Sequence, residues 1–170
     1  MPDLPIQIVD EHDKPISSAT KQEAWAQGLV HRAVRVMIED GKGNVLVQKR
    51  ADGKELFPGC WDTSAAGHVD AGETYEQAME RELAEELGLT NQPLKKQGDY
   101  YIDETWKGRR MKKFCRSYKL VQPDLPPLSL PPEEVSEVRW MSIQEVKQLI
   151  ADHPDHVSDG LRQVFERFYA

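Results

Sequence analysis

Residues 67–88 read GHVDAGETYEQAMERELAEELG, a glycine-punctuated loop that runs without a break into the strongest helical pattern of the chain. Over residues 74–87, Met79, Leu83 and Leu87 recur every four positions and form one apolar stripe. Gly88 then supplies a left-handed stop. A helix with a single apolar stripe needs a facing layer. The β-rich runs 33–38 and 45–47 offer one, joined by EDGKGN, whose glycines suit a hairpin turn.

The remaining pattern fills in the layers. Ile6, Ile8 and Val9 mark a short strand. Thr20 caps a helix over Lys21–Gln27, with Glu23 in capping-box position and Gly28 as its stop. Residues 51–66 read as a loop. Two strands, 98–105 and 112–121, flank a basic turn at 107–110. Pro123, Pro126, Pro127, Pro131 and Pro132 break regular structure and define an ordered surface loop. A strand at 138–141 and helices at 143–150 and 157–168 follow. Strands mixed with helices from both ends of the chain imply an α/β sandwich.

Glu82, Glu85 and Glu86 lie three and four residues apart, so the three carboxylates share one face of the helix. Their repulsion is offset by a divalent cation, and Mg²⁺ prefers such oxygens together with water and substrate phosphates. Glu76 and Glu80 read as ordinary helix surface. The glycines ahead of the helix let a polyphosphate approach the backbone closely. Composition narrows the partners. With 22 basic and 29 acidic residues the net charge is −7, which argues against a general nucleic-acid binder. No run approaches the roughly 18 apolar residues of a membrane span, and the first residues lack a signal-peptide pattern. Cys60 and Cys115 stand in no metal-like spacing. The expectation is one cytoplasmic domain over residues 1–170 with reduced thiols, its strand and helix in residues 1–28 packed on the rest.

Gly67, Glu73 and the run Arg81-Glu82-Leu83-Ala84-Glu85-Glu86-Leu87-Gly88-Leu89 together resemble an unbroken Nudix box of 23 residues. The resemblance implies an α/β/α sandwich around a mixed β-sheet. It also implies an Mg²⁺-dependent (or Mn²⁺-dependent) hydrolase that cleaves a diphosphate linkage in a nucleoside diphosphate or a derivative of one. Glu82, Glu85 and Glu86 would be catalytic metal ligands, joined by the Gly67 carbonyl. Arg81 would pair with Glu73 and orient the helix. Glu82 is the first choice of base, with Glu133, Glu134 and Glu137 as alternatives. The partner is a small-molecule diphosphate, with no membrane and no nucleic acid, and the protein is a monomer or homodimer.

His31-Arg32-Ala33, Phe57-Pro58-Gly59-Cys60-Trp61 and Ala66-Gly67-His68 resemble the isopentenyl-diphosphate isomerase branch. Ala66 stands where those isomerases carry a catalytic cysteine, and Ala24 where they carry a further metal histidine. Isomerisation needs an acid and a base on opposite faces of the carbon skeleton, so the frame is isomerase-like and the chemistry hydrolytic. An isomerase-like activity and a non-catalytic ligand-binding protein are the alternatives. For substrate contact the candidates are Lys49, Arg50 and His68, with His31 structural. The basic residues Lys107, Arg109, Arg110, Lys112 and Lys113 read chiefly as a solvated hairpin end. Trp61, Tyr100, Tyr101 and Trp106 are able to stack on a base, though aromatic residues of this number serve packing equally well.

Overall fold

The computed structural model describes residues 4–170, so residues 1–3 of the expected domain lie outside the described residues. The elements follow in the order β1 (Ile6–Val9), β2 (Pro15–Ala19), α1 (Lys21–Gln27), β3 (His31–Glu39), β4 (Asn44–Arg50), β5 (Trp61–Asp62), β6 (Ala65–His68), α2 (Tyr75–Leu87), β7 (Lys95–Trp106), β8 (Arg109–Val121), β9 (Val135–Ser142), α3 (Ile143–Asp152) and α4 (Asp159–Phe168).

α2 begins where the sequence says it should. Thr74 Oγ1 accepts from Gln77 N–H, the Gln77 side chain accepts from Thr74 N–H, and Gly88 closes the helix at φ 70°. Met79, Leu83 and Leu87 are buried against Val34, Val36 and Ile38 of β3 and Tyr118 and Leu120 of β8. Each such side chain contributes about 1.5–3 kcal/mol by leaving water. Met37, Val45 and Val47 point to the opposite face, where α3 and α4 cover them with Val146, Leu161, Val164 and Phe165. Helices thus lie on both faces of a mixed sheet, the expected α/β/α sandwich. The proline-rich loop is ordered as expected, and its Leu125, Leu128 and Leu130 pack on the α2 core.

Three features of the sheet depart from expectation, and together they make the site. The hairpin between β3 and β4 is paired only at Ile38↔Leu46 and Glu39↔Val45. Beyond that the strands separate: β3 takes β6 as neighbour, while β4 pairs with β5 and β9. β5 and β6 fall in or at the end of the stretch read as loop. Ala65-Ala66-Gly67-His68 has no β-branched residue to signal a strand, and it is held by its ladder to β3 rather than by propensity. β8 runs parallel to β3 over nine residue pairs, from His31↔Lys113 to Glu39↔Val121. Where β3 and β4 part, a cleft of about 800 Å³ opens.

Candidate active site

Among the described residues β6 pairs with β3 on one side, and its other edge carries no strand partner. Val69 N–H donates to Arg32 O at 3.1 Å. The hydrogen-bonded pairs of the ladder are therefore 32/69 and, two residues on, 34/67. Gly67 turns its backbone groups toward Val34, and Ala66 and His68 turn theirs to the free edge. α2 uses that edge: Ala66 N–H donates to Glu86 Oε2 (3.3 Å) and the His68 carbonyl accepts from Arg81 Nη2 (3.0 Å). This corrects one expectation. The Gly67 carbonyl belongs to the sheet, and the edge carbonyl beside the glutamates is that of Ala66. Glycine is needed at 67 for another reason, since a Cβ there would stand 2.1 Å from Glu82 Cδ.

Arg81 joins the loop to the helix start. Its Nε and Nη2 bond the two oxygens of Glu73 at 2.8 and 2.9 Å. Its Nη1 reaches Glu82 Oε1 at 2.8 Å and Glu85 Oε2 at 3.3 Å. The Glu73 carboxylate also accepts Asp70 N–H at 2.8 Å, which ties loop and helix together. Glu86 is 5% exposed, and its Oε1 accepts from Gln48 Nε2 at 2.7 Å. Burial raises the pKa of Glu82 and, more strongly, that of Glu86, where the neighbouring Glu82 carboxyl adds to the rise. Glu85 remains more than half exposed.

Among the described residues, no group of three His, Cys, Asp or Glu side chains forms a ready-made metal cage. Arg81 stands between Glu82 and Glu85 instead. The donor chemistry nevertheless fits a hard divalent cation: a buried Glu86 carboxyl beside a half-buried Glu82, a third carboxyl on the same face, and the Ala66 edge carbonyl. Ionising both Glu82 and Glu86 places two anions side by side where water is scarce, and a divalent ion relieves that cost.

The other expected residues divide. His68 and Arg50 line the cleft. Arg50 is already engaged, donating from Nε to Leu56 O (2.8 Å) and pairing through Nη1 with Asp62 (3.1 Å), so it fixes the 51–62 loop. Lys49 does not line the cleft, which corrects that expectation. Alternation along β4 gives Gln48 and Arg50 one face and Lys49 the other, where Lys49 lies over the Trp61 ring at 6.0 Å. Glu133 and Glu134 border the cleft, Glu134 in an ion pair with Lys54; Glu137 bonds Arg139 at 3.0 Å and lies outside it. Trp61, Tyr100, Tyr101 and Trp106 are not cleft-lining residues, and Trp106 stacks at 4.4 Å on Phe57, which is. Cys60 lies outside the cleft too, with its thiol directed to Asp155 O (3.6 Å).

His31 is fully buried and its Nδ1 donates to Leu29 O (2.9 Å). Burial, reinforced by Lys113, lowers its pKa to about 4, and burial together with His31 and Lys113 lowers that of His68 well below the usual value. The rings lie 5.5 Å apart. An ammonium beside two neutral imidazoles disfavours a divalent ion there, so the isomerase-like metal pair does not fit. Sequence reasoning missed Gln48, Asp62, Arg35 and the inward turn of Lys113; a polar residue at an inward position of a strand was the available signal for the first.

Residues 29–162 match the NUDIX domain family. The chain belongs to the Nudix hydrolase family. It is 36% identical over 143 residues to an uncharacterised Nudix hydrolase of Yersinia pestis, covering 83% of this chain and 74% of that protein. It is 34% identical over 148 residues to isopentenyl-diphosphate Delta-isomerase 2 of Photorhabdus laumondii subsp. laumondii, covering 87% and 82%. Among solved structures, DR0079 from Deinococcus radiodurans superposes with a TM-score of 0.79 at 21% identity, covering 98% of this chain and 99% of that one. A C. elegans Ap4A hydrolase gives 0.55 at 26% identity over 83% and 99%. The Nudix domain begins just ahead of β3 and contains every residue of the glutamate site. β1, β2 and α1 precede it: β1 pairs with β3, and Trp25 of α1 packs on Met111 and Cys115 of β8. No helix among the described residues is long and apolar enough to cross a membrane.

Proposed function

We propose that this Nudix protein is a metal-dependent hydrolase of diphosphate linkages in nucleoside diphosphates or their derivatives, acting as one domain with a small-molecule substrate. The observation that carries the reading is the Glu82–Glu86 carboxyl pair, with Glu86 buried and bonded to the edge of β6 at the side of an open cleft. The nucleoside part draws support from the Ap4A hydrolase among its structural relatives.

Glu82, Glu85, Glu86 and the Ala66 carbonyl would hold Mg²⁺ or Mn²⁺. When bound, the metal neutralises the diphosphate oxygens and acidifies water for attack. The chain supplies the rest. Gln48 and the Ala66 N–H fix both oxygens of Glu86. Arg81, braced by Glu73, holds the start of α2 against β6. Glu82 accepts the proton of the attacking water at its carboxylate. Glu133, which borders the cleft without an ion pair among the described residues, is the alternative base. Ala66 offers no thiol, so alkene isomerisation lacks its acid.

Glu82→Gln keeps the shape and removes the charge. Assayed with Mg²⁺ and with Mn²⁺ on nucleoside di- and triphosphates, nucleotide sugars and dinucleotides, it loses at least about 100-fold in kcat with an unchanged circular dichroism spectrum. Parental turnover on every accepted substrate overturns the role of Glu82. Conversion of isopentenyl diphosphate to its allylic isomer overturns the hydrolytic reading.

A further inference from the structure

The opposite face of β6 carries a second set of buried polar groups that the glutamate site does not use. Along β3, His31, Ala33 and Arg35 alternate with the residues that face α2. In the ladders His68 stands opposite Ala33, and Lys113 opposite His31. Ala33 provides a small floor, and Trp25, Arg35, His68 and Lys113 line the cleft around it.

Two cations in this wall are buried without a directly paired carboxylate among the described residues. Lys113 is 3% exposed and Arg35 5%, and neither makes an ion pair among the described residues. The carboxylates that act on Arg35 electrostatically are Asp62 and Asp159. Both act from beyond ion-pair distance: Asp62 bonds Arg50, Ser158 and Thr63 N–H, and Asp159 accepts from Gly160 N–H. Beside the cations, Trp25 Nε1, His68 Nε2 and Arg35 Nε are buried with no hydrogen-bond partner among the described residues. Burying an unpaired charge is costly, and a folded protein that does so places the charge where a ligand completes it. The wall disfavours a metal cation, because its two buried cations have no carboxylate within ion-pair distance among the described residues. A phosphoryl dianion fits better: its charge matches the pair, and its tetrahedral oxygens can meet donors arriving from β3, β8 and α1.

We propose that this inner wall is an oxyanion subsite in which Lys113 and Arg35 hold a phosphoryl group, with Trp25 Nε1 donating to it. Naming that group as part of the substrate rests on the hydrolase reading; the subsite itself does not. The substrate then crosses the free edge of β6, with its reacting bridge beside Glu82 and Glu86 and a phosphoryl end on the far face. The substrates this favours are diphosphates whose terminal phosphoryl group is unsubstituted.

The test is binding of methylenediphosphonate, which cannot be hydrolysed at its bridge, and of inorganic phosphate to the full chain in excess EDTA. Titration calorimetry reads the affinity. The indole Nε1–H resonance of Trp25, assigned with Trp25→Phe, reads the location. The expected result is saturable diphosphonate binding without metal, a saturable shift of the Trp25 resonance, and about ten-fold or greater weakening in Lys113→Met. If Lys113→Met does not fold, the Trp25 shift in the parent decides. No saturable binding of either probe, an unmoved Trp25 resonance, or parental affinity in folded Lys113→Met overturns the subsite. Binding of inorganic phosphate alone, with none of the diphosphonate, overturns its assignment to the substrate. Because EDTA removes the hydrolytic metal, failure here is distinguishable from failure of the hydrolase reading.

Discussion

Glu82, Glu85 and Glu86 are one residue type within little more than one helical turn, yet their surroundings differ. Glu85 is exposed and meets only Arg81, Glu82 is held by Arg81 beside Gly67, and Glu86 is enclosed by Gln48 and Ala66. Spacing in the sequence reveals the shared face but not this grading, which depends on what β4 and β6 bring to the helix. His31 shows the same dependence. It is neutral and buried, with its pKa lowered from 6.5 to about 4. Between those values the unfolded chain binds a proton that the folded chain refuses, so stability falls as pH falls through this window. The shift corresponds to about 3 kcal/mol. Urea melts of the parent and of His31→Gln between pH 7 and 4 should show the parent losing more stability by roughly that amount, and parallel profiles contradict the burial of a neutral His31.

The contact between β6 and α2 is the element-scale junction on which the site depends. Gly67 lets the two approach, and a methyl group there collides with the carboxyl end of Glu82 rather than with backbone. Gly67→Ala is therefore expected to keep the fold, with a melting temperature lowered by only a few degrees. It displaces Glu82 by enough to cost about 100-fold in turnover. Unfolding at room temperature, or full activity, contradicts this geometry. α2 itself was legible because its stripe and glycine stop agree. β6 was not, because Ala65-Ala66-Gly67-His68 carries no strand signal and owes its conformation to β3. The parallel pairing of β8 with β3 was invisible for a related reason: each strand reads locally as β, but the partner is chosen by the whole sheet. Lys113 suffered most from this. It reads as part of a basic hairpin end, and the register of β8 turns it inward against His31.

Over the whole molecule, the parting of β3 and β4 converts a closed sandwich into one with a cleft whose two sides differ in charge. One side is acidic, from α2; the other is cationic, from β3 and β8. The net charge of −7 conceals this division, since acidic and basic residues both line the cleft. The α/β/α arrangement was readable from the order of elements and from the Nudix resemblance. The site was half readable: its acidic side is contiguous in sequence, whereas Arg35, Gln48, Asp62 and Lys113 come from four separate strands. What remains to be measured directly is whether the acidic side captures a metal. Electron paramagnetic resonance of Mn²⁺ titrated into the metal-free protein gives the answer. Saturable binding by the parent, lost in both Glu82→Gln and Glu86→Gln, is the predicted result; absence of saturable binding, or binding that both variants retain, would contradict it.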